Sequence, residues 1–176
     1  MKIFLRPITE KDGTNIVKWR NSSKVQGHCL TRTAITEESN LKFYRENVLT
    51  GRYKQFIVER VDEEFSLASY PIATVYLKDM DYGNKRCELC IFTSDDAEWM
   101  AEGQSIAIKM LLKKAFDEFE MHKVYSYVFF KNQDEVELLK SAGFSLEAVM
   151  KEEAINEKGE YEDIVRLSIL NENQKQ

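Results

Sequence analysis

The chain predicts an α/β fold: a central mixed, mostly antiparallel, twisted sheet of about seven strands with about four helices on its faces, in one domain. Three observations predict it. Over 104–119, Ile108, Leu111, Leu112, Ala115, Phe116 and Phe119 recur at i, i+3, i+4, i+7, i+8 and i+11, which is one face of an α-helix; Lys109, Lys113, Lys114, Asp117 and Glu118 hold the other face. Short apolar runs at 87–92 and 124–129 flank that helix, and two strands joined by a whole helix should be parallel. The other strand-like segments of the first half follow one another through short turns, as an antiparallel meander does.

In order, 2–6 reads as a first strand, ended by Pro7, which has no N–H for the ladder. Thr9-x-x-Asp12 reads as a capping box opening a helix that runs to about Trp19-Arg20-Asn21. Over 21–36 the pattern weakens into a loop-rich stretch with Gly27, His28 and Cys29, where a substrate loop can sit. Thr36 is an N-cap for a second helix that keeps Leu41, Tyr44 and Val48 at helical spacing. Strands at 55–60 and 70–77 join around the acidic turn Asp62-Glu63-Glu64, and 87–92 follows Tyr82-Gly83-Asn84. Past the long helix and strand 124–129, Asn132 stands three before Glu135 and caps a short helix with Val136 and Leu139 on one face. Gly143 is its C′ residue. Two long strands, 146–155 and 160–170, turn at Glu157-Lys158-Gly159. The domain is expected over 1–170, with 171–176 a polar, frayed tail.

Composition narrows the function. The 176 residues, 43% hydrophobic, suffice for one sizeable core. No run of about 18 apolar residues occurs, and the apolar part of the first seven residues is too short for a signal peptide, so no membrane partner and a cytoplasmic location are expected. Cys29, Cys87 and Cys90 are odd in number. A Cys-x-x-Cys on a strand points its thiols to opposite faces, which argues for buried reduced thiols and no metal. A net charge of −5 gives no electrostatic footprint for duplex nucleic acid, so no nucleic-acid partner is expected. The exposed edge of either terminal strand offers a surface for a homodimer.

A helix start near Gly103 would offer unpaired N–H groups and the positive dipole end, and small residues there let a pyrophosphate approach closely. Met100-x-x-Gly103-x-Ser105 resembles the Gln/Arg-x-x-Gly-x-Gly/Ala signature of the GNAT superfamily of acetyl-CoA-dependent N-acetyltransferases, with Met and Ser standing at its two ends. His122-Lys123-Val124-Tyr125-Ser126-Tyr127-Val128, then Asn132 and Ala142-Gly143-Phe144, resembles the family's next strand, its Asn-initiated helix and its closing Gly-Phe. Leu5-Arg6-Pro7-Ile8 with Asp12, and the stretch from Asn156 to Asp163, are similar to the two ends of the subgroup that acetylates ribosomal-protein N-termini, polyamines and nucleotide-linked amino sugars. The resemblance spans nearly the whole chain. It implies a GNAT-like fold and direct transfer of an acetyl group from acetyl-CoA, the co-substrate, to a primary amine of a small molecule or peptide.

The same resemblance implies residue roles. Backbone at Ile91, Phe92 and Thr93 would pair with the pantetheine arm and polarise the thioester, and the amides of Ala101, Glu102, Gly103, Gln104 and Ser105 would hold the pyrophosphate. Asn132 either contacts CoA or is purely an N-cap. Glu88, on the strand beside the thioester, is the candidate base; the other reading is a solvent-facing or cross-strand-paired carboxylate. Many relatives carry a Tyr as general acid where Leu139 stands here, which leaves Tyr125 or Tyr127 as substitutes unless both only pack. Trp19-Arg20-Asn21 resembles a Trp-Arg-Asn in members that acetylate nucleotide-linked amino sugars. Arg20 would grip a diphosphate and Trp19 would stack; alternatively Trp19 anchors the helix and Arg20 is solvated. His28 is a candidate for the acceptor wall. Three functions remain open: acetylation of a small-molecule amine such as a nucleotide-linked amino sugar, acetylation of protein N-termini, and a CoA-binding module that has lost catalysis.

Overall fold

The computed structural model describes residues 1–64, 68–91, 94, 97, 99–156 and 158–172. Its strands are β1 (Ile3–Pro7), β2 (Lys54–Val61), β3 (Ser69–Asp81), β4 (Arg86–Ile91), β5 (Lys123–Phe129), β6 (Ser145–Ile155) and β7 (Tyr161–Leu170). Its helices are α1 (Gly13–Arg20), α2 (Ser23–Gln26), α3 (Glu37–Phe43), α4 (Gln104–Lys113) and α5 (Gln133–Ser141). The seven strands form one sheet in the order β1-β2-β3-β4-β5-β7-β6. Only β4 and β5 run parallel among the described neighbours; every other pair is antiparallel. This is the mixed, mostly antiparallel sheet that the sequence predicts, with one helix more than expected.

Local chemistry explains where the elements begin. The Thr9–Asp12 box is present, with Asp12 Oδ2 accepting the Thr9 N–H at 2.8 Å, and it opens a single 3₁₀ turn, Glu10–Asp12, that leads into α1. Thr36 caps α3 through its hydroxyl, which accepts the Ser39 N–H at 3.1 Å. A π-helical turn, Tyr44–Val48, prolongs α3. The stretch expected as open loop contains the one-turn α2, capped by Ser22, whose Oγ accepts the Val25 N–H. Gly143 takes the left-handed φ of +98° after α5 and donates to Lys140 O at 2.9 Å, as a C′ residue does. Just past β7, Asn171 is buried, and its N–H bonds to His122 O at 2.8 Å.

The two faces of the sheet carry different layers. On one face, Val75, Leu77, Cys87, Leu89, Val124 and Val128 pack against the predicted stripe of α4. Ile108, Leu111, Leu112 and Ala115 of that stripe are fully enclosed, and Phe116 and Phe119 border them. On the other face, Ile57 packs with Ile8, Ile16 and Trp19 beneath α1 and α3. The period-2 alternation of a strand therefore sends Cys87 into the main core and Cys90 to the opposite face, as its spacing required.

Candidate active site

The site forms where β4 and β5 part. Their parallel ladder consists of Arg86↔Lys123, Cys87↔Val124 and Glu88↔Tyr125 and ends there. Beyond it β4 stays paired with β3 as far as Val75↔Ile91, and β5 stays paired with β7 as far as Phe129↔Ile164. Leu89 to Ile91 thus face Ser126 to Phe129 without strand pairing between them. Ser126 Oγ donates to Leu89 O at 2.9 Å and closes the vertex. Buried backbone groups need partners, so such an opening suits a ligand that has amides of its own.

Next to the vertex, on the face covered by α1 and α3, lies a cavity of about 440 Å³. Five sequence-predicted residues line it: Arg20, His28, Glu88, Ile91 and Tyr127. Glu88 is 4% exposed, so it does not face solvent. It forms a cross-strand ion pair with Lys78, Nζ to Oε1 at 3.1 Å, and it lines the cavity. Cys90 Sγ also donates to Oε1, at 3.3 Å. Burial raises the Glu88 carboxyl, and the Lys78 ammonium and Cys90 thiol only partly oppose it, so it sits above its ordinary value. Burial would lower Lys78, but the Glu88 carboxylate beside it opposes this, and the ammonium sits above its ordinary value and stays charged. Burial pushes the Cys90 thiol well up, so it remains a donor rather than a thiolate.

His28 joins the two sides of the site. It follows α2, and its Nδ1 lies 2.9 Å from Glu135 Oε2 and 3.2 Å from Asn132 Nδ2, both at the start of α5. The bond to Glu135 raises the His28 pKa against the lowering effect of burial, so Nδ1 carries a proton and donates to the carboxylate. Asn132 stands at the N-cap of α5 without a side-chain cap bond. Arg20 is buried at the end of α1, not solvated, and its guanidinium donates to Thr31 O in the loop above the cavity.

Other expected residues stand elsewhere. Trp19 is packed in the core with Ile8, Ile16 and Ile57 and does not line the cavity, so it anchors α1. The Asn21 side chain is spent on the loop, donating to Ile35 O at 2.8 Å and accepting the Ile35 N–H at 2.9 Å. Tyr125 is buried under the Arg166 guanidinium, 4.1 Å from its ring centre, whereas Tyr127 lines the cavity. Burial raises the Tyr125 hydroxyl. Leu139 is buried in the main core. Helical backbone is already under way at Ala97 and in the π-helical turn Trp99–Gly103, so Gly103 is not a helix start, and the Trp99 ring in that turn is fully buried. Ala101 and Glu102 are exposed in this turn, while Gly103 and Gln104 are buried and Ser105 lies within α4. Phe92 and Thr93 lie outside the described residues.

Sequence reasoning missed Lys78 and Glu135. The run Thr74-Val75-Tyr76-Leu77-Lys78 alternates polar and apolar residues, a signal that puts Lys78 on the face away from the main core. Its pairing with Glu88 needs the β3–β4 register, which periodicity does not give.

The site is thus a parallel pair that splays beside a helix-covered cavity, with a buried carboxylate at the vertex. The acetyltransferase (GNAT) domain family matches residues 2–145, and the chain belongs to it. It is thereby an enzyme of the N-acetyltransferase class. Among solved structures, the spermidine N-acetyltransferase from Vibrio cholerae in complex with CoA and spermine is similar, at 22% identity and a TM-score of 0.83, over 96% of this chain and 95% of that one. A chimera of spermidine N-acetyltransferase SpeG from Vibrio cholerae and hSSAT gives 22% identity and a TM-score of 0.82, over 97% and 96% of the two chains. At these identities the likeness establishes a shared fold. No curated protein matches the sequence.

Proposed function

We propose that the protein transfers an acetyl group from acetyl-CoA to the primary amine of a small molecule seated in the cavity, and that this molecule carries an anionic group, such as the diphosphate of a nucleotide-linked amino sugar. The observation that carries the reading is Glu88: a buried carboxylate at the vertex of the parted strands, lining the cavity. The unpaired edge at Cys90 and Ile91 suits the amides of a pantetheine arm, and the family signature around Gly103 suits its phosphates. When bound, acetyl-CoA supplies an activated acetyl thioester. Ile91 backbone orients that group, and Glu88 takes the proton released by the attacking nitrogen. No acid is required of Leu139, since a thiol of pKa about 8.5 leaves readily as thiolate.

The acceptor class follows from charge. Arg20, Lys78 and His28 stand on the cavity wall against Glu88 and Glu135. A polycation such as the spermine named with the Vibrio cholerae structure calls for an excess of carboxylates, and this wall has none; an amine bearing phosphate or carboxylate suits the Arg20 fork. The three cysteines are free thiols, which fits a cytoplasmic enzyme, and one catalytic domain over 1–170 accounts for the whole site.

The test is incubation with acetyl-CoA and three acceptor sets, nucleotide-linked amino sugars, polyamines and peptides, read by thiol release and acetyl mass gain. Transfer to the anionic amines is expected, with Glu88→Gln lowering kcat/KM by about 10²- to 10⁴-fold. Stabilisation by acetyl-CoA, about 2.7 kcal/mol at 100 times Kd, without turnover on any set would instead establish a CoA-binding module.

A further inference from the structure

We propose that Lys78 is a positioning residue for the reaction: together with the Cys90 thiol it engages one oxygen of Glu88 and leaves the other for the acceptor nitrogen. This rests on the reading of Glu88 as the proton acceptor. The nearest approach of Lys78 Nζ is 3.1 Å, to Oε1, and Cys90 Sγ donates to the same Oε1. Among the described residues, no hydrogen bond falls on Oε2. The arrangement is fixed by the sheet, because Lys78 pairs directly with Glu88, and Tyr76 with Cys90, in the β3–β4 register. All four side chains line the cavity.

The chemistry requires such a partner. A carboxylate as buried as Glu88 takes up a proton unless a cation or hydrogen-bond donors hold its charge, and a protonated Glu88 cannot accept another. Lys78 reaches it from β3 and Cys90 from β4 itself. Other titratable groups around the pair are Asp79, Tyr53 and Tyr125, with His28, Glu135 and Arg20 on the cavity wall. None of these forms a hydrogen bond or ion pair with Glu88 in the described structure. Lys78 therefore keeps the base ionised and turned to one rotamer.

The experiment is the pH profile of kcat/KM for the intact enzyme and for Lys78→Met, Lys78→Arg, Glu88→Gln and the Lys78→Met/Glu88→Gln double variant. Loss of the ammonium should move the ascending limb of Lys78→Met upward by about one to three pH units, as expected when an opposite charge within a few ångströms is removed. Activity at pH 7 then falls about tenfold per unit and recovers above the new limb. Lys78→Arg should restore the limb, and Lys78→Met should cost nothing further on the Glu88→Gln background. An unmoved limb, or a loss equal at every pH, overturns the role of Lys78. Full activity of Glu88→Gln instead overturns the reading of Glu88 itself, so the two failures are distinct. Should Lys78→Met not fold, Cys90→Ala reports on the same oxygen: a smaller upward shift supports the proposal, and an unmoved limb overturns it.

Discussion

Replacing Arg6 with Met tests how the site is held in place. Arg6 donates from Nη1 and Nη2 to the two oxygens of Asp12 at 2.8 and 2.7 Å, and from Nε to Glu59 Oε1 at 2.8 Å. Both carboxylate side chains are only 6% exposed, so the variant leaves two buried, uncompensated charges at the root of α1. Breaking a buried pair costs about 3–5 kcal/mol, and since the Arg6 side chain is itself 32% exposed, the lower end, about 3 kcal/mol, is expected. In a domain of this size that lowers Tm by about 6–12 °C. The pH dependence has a definite sign. Burial would raise Asp12, but the Arg6 bonds and the Thr9 N–H hold it below the usual carboxylate range. Its stabilisation is therefore fully present above the unfolded pKa of about 3.9 and is lost as pH falls through the lower, folded value. In the variant, burial acts on Asp12 without Arg6 and its carboxyl rises instead, a penalty that is largest at neutral pH and is relieved as it protonates. Urea titrations of both proteins at pH 7, 5.5 and 4 should show the difference shrinking toward pH 4. A difference that is constant with pH, or below about 1 kcal/mol at pH 7, would refute the reasoning.

Three further outcomes are expected. The His28–Glu135 bond raises the His28 pKa, so its contribution to stability is fully present below the unfolded pKa of His and is lost as pH rises through the higher, folded value. The Tm gap between the intact protein and His28→Ala should accordingly close between pH 6 and 9. Arg20→Lys keeps the charge but removes the planar fork, and it should raise KM for a phosphate-bearing acceptor about tenfold or more with kcat little changed, measured by steady-state kinetics. Gly143 has φ +98°, and a Cβ there would meet Ile169 Cδ1 at 3.1 Å, so Gly143→Ala should lose about 1–3 kcal/mol in urea unfolding.

Several of these features are legible in the chain because they depend on spacing along it. The stripe from Ile108 to Phe119, the Thr9–Asp12 box, the Thr36 cap, the Gly143 turn and the parallel pairing of the strands around α4 follow from neighbours a few residues apart, or from the length of a connection. The family signature was legible too, through Met100, Gly103 and Ser105, although helical backbone is already under way before Gly103, with Trp99 fully buried in it. Burial is not a local property.

The sequence by itself determined the alternation of strands and helices, the face that α4 buries, the separation of Cys87 from Cys90, and the family. Only the tertiary structure decided that β7 enters between β5 and β6, that Trp19 is core while Arg20 reaches the cavity, and that Lys78, Cys90 and Glu88 share one oxygen. The physical reason is range. Helical and strand periodicities are imposed by the covalent backbone, whereas strand order, register and the shape of a cavity come from the packing of segments far apart in the chain, which the spacing of residues along one segment does not encode.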